Sequence, residues 1–244
     1  MKVGICAIIK DCYKPYLLEW FNYHRSIGVD YFFIYDNESD MPIGDTLERY
    51  FLPGMEGIHV ETITGQVKQL AAYNKCLDDI KSGVLPFFCD HLAFIDDDEF
   101  IICYNNDIKE TLKEYEEFSG LGISWRIFGS SGIKEKTPEG QRTKFTQHTT
   151  SDFPANRHIK SIVNPLLAEQ AAGPHSFKYS KGCCVNVNKE IIENNFTTPI
   201  YKKIWLDHYF TRSIEEWNEK VLRGRSDVNV TRTLSEFYDI DFNC

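Results

Sequence analysis

The amino-acid sequence predicts an α/β protein built on a mostly parallel sheet with helices on both faces. Three observations predict it. Short apolar runs alternate with stretches of helical period through the first hundred residues. The first run, Val3–Ile9, is apolar throughout, as a central strand covered on both faces must be. A later run, Leu92–Ile95, ends in four consecutive carboxylates, Asp96-Asp97-Asp98-Glu99, and open α/β sheets bind ligands at strand ends.

After the first strand, Pro15 suits the first turn of a helix, with Leu17, Trp20, Phe21 and His24 on one face and Gly28 as a stop. Tyr31–Tyr35 is the second strand, closed by the polar turn Asp36-Asn37-Glu38-Ser39-Asp40. Ile58–Ile63 is the third. Gln66–Ser82 reads as a helix with Leu70, Asn74 and Leu77 on one face and Gly83 after it, and the acidic strand follows. Beyond residue 104 the pattern is less regular. Ile108, Leu112 and Tyr115 mark a helix, and Leu121–Phe128, Ile159–Val163 and Cys183–Val187 read as strands. The polar, basic stretch 129–150 has no period and reads as a mobile loop. Ser213-Ile214-Glu215-Glu216 forms a capping box that opens a helix with Ile214, Trp217 and Val221 on one face, ended by Gly224. Residues 227–244 read as a polar tail. Residues 1–226 are expected as one catalytic domain, with a nucleotide-binding half over 1–104 and an acceptor half over 105–226.

The chain has 244 residues, 42% of them hydrophobic and 14% aromatic, which supports a sizeable core. Its 27 basic and 36 acidic residues give a net charge of −9, which argues against binding a nucleic-acid backbone. It leaves room for a single nucleotide held by a local basic site. There is no run of signal-peptide form and none long enough to span a bilayer. The eight cysteines show no Cys-x-x-Cys framework, Cys183 and Cys184 are adjacent, and Cys6 and Cys89 lie in or beside apolar runs. A reduced, cytoplasmic protein is therefore expected. Peripheral contact with the inner face of a membrane stays open.

Packing four carboxylates at the end of a core strand is costly without a cation, and hard divalent ions prefer carboxylate oxygens. On a strand end, alternate residues point to one side. That pattern expects Asp96 and Asp98 to share one ion, Mn²⁺ or Mg²⁺.

Several blocks, in order, resemble glycosyltransferase family 92 and its bacterial family 2-like relatives. They are Lys10-Asp11 before Glu19-Trp20-x-x-Tyr23-His24, then Gly28-Val29-Asp30 and Ile34-Tyr35-Asp36-Asn37. Gln69-x-x-x-Tyr73-Asn74-x-Cys76-Leu77 and Phe94 to Phe100 follow, then Trp125-x-x-Phe128-Gly129, Lys160 to Val163 and His175-x-Phe177. His208-Tyr209, Ser213, Trp217, Lys220, Arg223 and Gly224 complete the set, which covers residues 3 to 226. The chain departs from the pattern at Asp97, where an apolar residue is common, and at Arg212, where Lys is usual. The resemblance implies a GT-A fold and metal-dependent, inverting transfer from a nucleoside-diphosphate sugar, with UDP-galactose as the implied donor and a glycan as acceptor.

On that reading Asp96, Asp98 and His208 hold the metal. Lys10, Asp36, Asn37, Gln69 and Asp96 contact the nucleotide, and Lys220 and Arg223, three apart on one helix, face the diphosphate. Trp125, Phe128 and His175 serve the acceptor. Glu99, Asp207 and Glu169 compete as the general base that inversion requires. His24, on an apolar helix face, is structural. Other classes remain to be separated. A metal phosphohydrolase would need several spaced His and Asp ligands. A nucleotidyltransferase would favour an early glycine-rich phosphate loop, but Lys10-Asp11-Cys12-Tyr13 stands there. A calcium- or carbohydrate-binding module of EF-hand type would need a glycine in the acidic loop, and the stretch 96–101 has none.

Overall fold

The computed structural model describes residues 1–51 and 55–244. The chain runs β1 (Val3–Ile9), α1 (Lys14–Ser26), β2 (Tyr31–Asp36), α2 (Ile43–Phe51), β3 (Ile58–Thr62), α3 (Gln69–Ser82) and β4 (His91–Phe94). Strand β1 pairs in parallel with β2 on one side and β4 on the other, and β2 pairs in parallel with β3. Alternation along β1 divides the core as a doubly covered sheet requires. Val3, Ile5, Ala7 and Ile9 pack with Leu17, Trp20 and Phe21 of α1, whereas Cys6 and Ile8 pack with Tyr73, Cys76 and Leu77 of α3. The parallel sheet with helices on both faces is as expected.

Helix α1 starts at Lys14 and carries Pro15 in its first turn, where a missing N–H costs nothing. Helix α3 ends on Gly83 at φ +69°, a left-handed cap that glycine adopts without strain. It begins at Gln69, three residues later than the period suggests, because Val67 takes φ +53° and interrupts the helical backbone.

The second half extends the same sheet: β5 (Glu99–Cys103), α4 (Ile108–Leu112), β6 (Gly120–Ile127), α5 (Gln141–Lys144), β7 (Ile159–Val163), β8 (Ala168–Ala171), β9 (Phe177–Tyr179), β10 (Cys184–Val185), β11 (Ile191–Ile192), β12 (Ile204–His208), α6 (Ile214–Arg223) and α7 (Leu234–Phe242). The order β11-β10-β6-β7-β4-β1-β2-β3 spans both halves, with β7 antiparallel to β4 and β6. Strand β12 lies antiparallel to β5 and parallel to β6. Strands β8 and β9 form a separate hairpin.

Two expectations change. The stretch 129–150 is tied down: Gln141 is fully buried, and the backbone N–H groups of Gln141 and Arg142 donate to the Glu19 carboxylate at 2.6 and 3.2 Å. Residues 227–244 are not an unpaired tail. Helix α7 is capped by Thr233, buries Phe237 and Ile240, and anchors through Asp241, which accepts from Ser130 N–H and Oγ–H at 2.6 and 2.7 Å. Five of its nine residues are apolar or aromatic, but only Phe237 and Ile240 are buried while Leu234, Tyr238 and Phe242 are exposed, so the sequence carries no single apolar stripe.

Candidate active site

The three aspartates of the acidic run lie in the turn between β4 and β5, and Glu99 opens β5. Strand alternation therefore does not place Asp96 and Asp98, and their surroundings differ. Asp96 Oδ1 accepts from Gln69 Nε2 at 2.8 Å and Oδ2 from Lys160 Nζ at 2.8 Å. Asp98 Oδ2 accepts from Lys220 Nζ at 2.7 Å, and its Oδ1 stands 3.4 Å from His208 Nε2. Burial works against the Asp98 charge, but the Lys220 ammonium outweighs it and holds the carboxyl well below the usual range. Burial also outweighs Asp98 at His208 and keeps the imidazole below its ordinary value.

His208 arrives by register. In the β5–β12 pairing it stands opposite Glu99, and in the β12–β6 pairing opposite Ile127. Opposed residues of an antiparallel pair project to the same face, so Glu99 sits directly behind the imidazole. The Glu99 carboxylate is fully buried; its Oε2 accepts the Asp96 N–H at 2.8 Å and lies 3.4 Å from Lys160 Nζ. Burial opposes its charge, and the neighbouring Lys160 ammonium opposes burial. Lys160, in the middle of β7, is 1% exposed; burial opposes its charge, but Asp96 and Glu99 keep it protonated.

These groups line or underlie a cavity of about 520 Å³ at the ends of the parallel strands. Lys10, Asn37, Gln69, Asp96, Asp98, Trp125, His175, His208, Lys220 and Arg223, all named from the sequence, line it. Their chain separations reach from β1 to α6, so the fold gathers them. The segment after α6 forms a further wall. Gln69 N–H donates to Ser226 O at 3.1 Å, and Arg232 Nη1 donates to Gly224 O at 2.9 Å. Arg225 and Arg232 add positive charge to that wall.

Five expected residues fall elsewhere. Asp36 accepts from the backbone N–H groups of Ser39 and Ile43 at 2.9 Å each, so it shapes the loop into α2. Phe128 is buried against Tyr209, its ring centroid 4.8 Å away. Asp207 points to the opposite face of β12 from His208 and accepts two bonds from Arg126, at 2.7 and 2.8 Å, and one from Trp205 Nε1 at 2.9 Å. Glu169 lies exposed on the β8–β9 hairpin. Glu99 is sealed behind His208. None of the three base candidates therefore lines the cavity.

Lys160 and Arg232 were not singled out as site residues. A lysine inside the apolar run Ile159-Lys160-Ser161-Ile162-Val163 was the available signal, because a buried lysine must be paired. Arg232 carried no local signal.

Asp98 Oδ1 and His208 Nε2 suit a divalent cation. Cis ligands of an octahedral ion at about 2.1 Å lie about 3 Å apart, close to the observed 3.4 Å. Among the described residues no group of three or more His, Cys, Asp or Glu forms a complete cage.

The Trp125 ring stacks on His158 at 4.9 Å and meets His175 and His208 edge-on at 5.1 and 4.5 Å. Its buried Nε1 has no hydrogen-bond partner. His175 Nδ1 donates to Ile159 O at 2.8 Å, which fixes its tautomer, and burial lowers its pKa to about 3.

A parallel sheet covered on both faces, with an acidic turn and a helix bearing Lys220 and Arg223 around a strand-end cavity, is the GT-A type of glycosyltransferase fold. The crystal structure of GalNAc-T7 with UDP, GalNAc and Mn²⁺ shares it, with a TM-score of 0.53 and 10% identity over 87% of this chain and 44% of that one. The model of glycosyltransferase family 92 matches residues 3–235, and the chain belongs to that family. A family 92 protein of Arabidopsis thaliana is 25% identical over 249 residues, and one of Ricinus communis is 28% identical over 234. Each alignment covers 91% of this chain and 40% of the relative, so the chain spans about two fifths of the length of these plant proteins.

Proposed function

We infer that this protein transfers a hexose from a UDP-sugar to a hydroxyl of a glycan, with inversion and with Mn²⁺ or Mg²⁺ as cofactor. The observation that carries the reading is the facing pair of Asp98 Oδ1 and His208 Nε2, 3.4 Å apart on the wall of a cavity that Lys220 and Arg223 also line. A divalent cation there supplies Lewis-acid charge to the leaving diphosphate. Asp98 and His208 hold it, while Lys220, Arg223 and Arg232 offer donors to phosphate oxygens. Lys10 and Asn37, at the ends of β1 and β2, take the nucleoside side. Trp125 offers an apolar ring face and one N–H donor to a sugar, and the neutral His175 offers a lone pair at Nε2 to a hydroxyl. The UDP and Mn²⁺ bound to GalNAc-T7, which has this fold, support the choice of ligand and ion. Galactose and inversion rest on the family resemblance.

The catalytic unit is taken as residues 1–226, with α7 packed on it. Eight free thiols favour a reducing, cytoplasmic setting, at the inner face of a membrane if the acceptor lies there. Among the described residues no helix is long and apolar enough to cross a membrane.

Thermal stabilisation by UDP and by GDP, each with and without Mn²⁺, tests the reading. Stabilisation by UDP that needs Mn²⁺ is expected. Stabilisation by Ca²⁺ alone, with no response to either nucleotide, would instead indicate a binding module.

A further inference from the structure

Glu99 has two oxygens in two different situations. Oε2 accepts the Asp96 N–H and faces Lys160, which is enough to hold the turn. Oε1 is buried and has no hydrogen-bond partner, and the same is true of His208 Nδ1. These two unpartnered atoms lie 3.5 Å apart, on residues that the β5–β12 register sets opposite one another. No other element offers His208 Nδ1 a partner among the described residues.

We propose that Glu99 is a positioning residue for His208: its Oε1 accepts the Nδ1–H and so fixes the tautomer whose Nε2 lone pair points at the Asp98 carboxylate and the cation between them. The inference rests on the cation reading given above. Without an acceptor behind it, a neutral imidazole is free to carry its proton on Nε2, where it would block coordination. A histidine ligand's second nitrogen ordinarily donates to a carboxylate or carbonyl for this reason, and loss of that partner weakens metal binding about 10–100-fold. Glu99 is sealed from the cavity, so it acts through His208 and not on the acceptor hydroxyl.

Glu99→Gln separates this role from a merely structural one. Asp96 N–H and Lys160 both demand an acceptor on their side, so the amide oxygen settles there and the NH₂ turns toward His208. A donor facing Nδ1 favours the wrong tautomer. Calorimetric titration of MnCl₂ in the presence of UDP should show affinity reduced about 10–100-fold in this variant, with circular dichroism unchanged. In parallel, the ¹⁵N resonances of His208 in the wild-type protein loaded with Cd²⁺ and UDP should show a protonated Nδ1 and a metal-bound Nε2. Wild-type Mn²⁺ affinity in Glu99→Gln, alongside lost affinity in Asp98→Asn, would overturn the role of Glu99 and leave the cation site standing. An unprotonated Nδ1 in the loaded wild type would overturn it without any variant. If the wild type binds neither ion, or Asp98→Asn binds Mn²⁺ as the wild type does, the cation reading falls first and takes this one with it.

Discussion

Asp97 and Arg212 meet in the fold: Arg212 Nη2 lies 3.2 Å from Asp97 Oδ2. Both side chains are largely buried, and Arg212 Nε also donates to Gln141 Oε1 at 2.8 Å. Each partner thus supplies the charge that the other requires. The pair ties the acidic turn to the stretch 129–150. Removing either partner alone leaves a charge in a site poor in water. Asp97→Leu and Arg212→Met should each destabilise the protein, and the double variant should lose less than their sum, with a coupling of about 1–3 kcal/mol in urea denaturation. Strict additivity would show that the two substitutions are independent.

Asp98→Asn keeps the shape of the side chain and removes its charge. The Mn²⁺-dependent part of UDP stabilisation should vanish in a thermal melt. Turnover should fall on the order of a hundredfold or more, since a bound metal contributes several kcal/mol to such a transition state. Full metal dependence in this variant would place the ion elsewhere.

Lys160→Met retains much of the stem and deletes the ammonium that serves both Asp96 and Glu99. Breaking a buried pair from one side costs about 3–5 kcal/mol, which a urea midpoint will register. A loss under about 1 kcal/mol would mean that the two carboxyls are satisfied without it.

His24 is fully buried, donating from Nδ1 to Trp20 O at 2.9 Å and accepting at Nε2 from Ile101 N–H at 3.2 Å. Burial holds its pKa at about 3, below the ordinary 6.5. The unfolded chain therefore binds a proton that the native state refuses. This contribution to stability is complete above pH 6.5 and declines as the pH falls toward 3, at up to about 1.4 kcal/mol per pH unit. His24→Gln should flatten that slope in denaturation curves taken between pH 7 and 4. An unchanged slope would mean that other groups set the acid response.

The parallel half of the fold was legible because β1 and β2 are apolar runs and β3 alternates Ile58 and Val60 with polar residues, all between glycine, proline and polar turns, and because α1 and α6 carry Pro15 and the Ser213 box at their starts. Strand β12 was harder. Ile204-Trp205-Leu206 reads as apolar, but nothing local says that it will lie against Glu99 or that Asp207 will face Arg126 (both are matters of register). That is why His208 was placed at the site while Asp207, its neighbour, was wrongly placed there too. The alternation rule for Asp96 and Asp98 failed because the strand stops at Phe94. Both residues reach the cavity through the turn that follows. Asp36 was misread because a carboxylate that closes its own loop has the same sequence signature as one waiting for a ribose.

The wall formed by residues 225–232 is held by the backbone bond from Gln69 to Ser226, by Arg232 on the carbonyl of Gly224 and by the docking of α7. A molecule seated in the cavity touches this wall directly. Whatever binds there therefore stabilises the folded arrangement of this segment by mass action. Trypsin sites at Arg225 and Arg232 should become harder to cut as donor concentration rises, so limited proteolysis offers a gauge of ligation that needs no acceptor and no turnover.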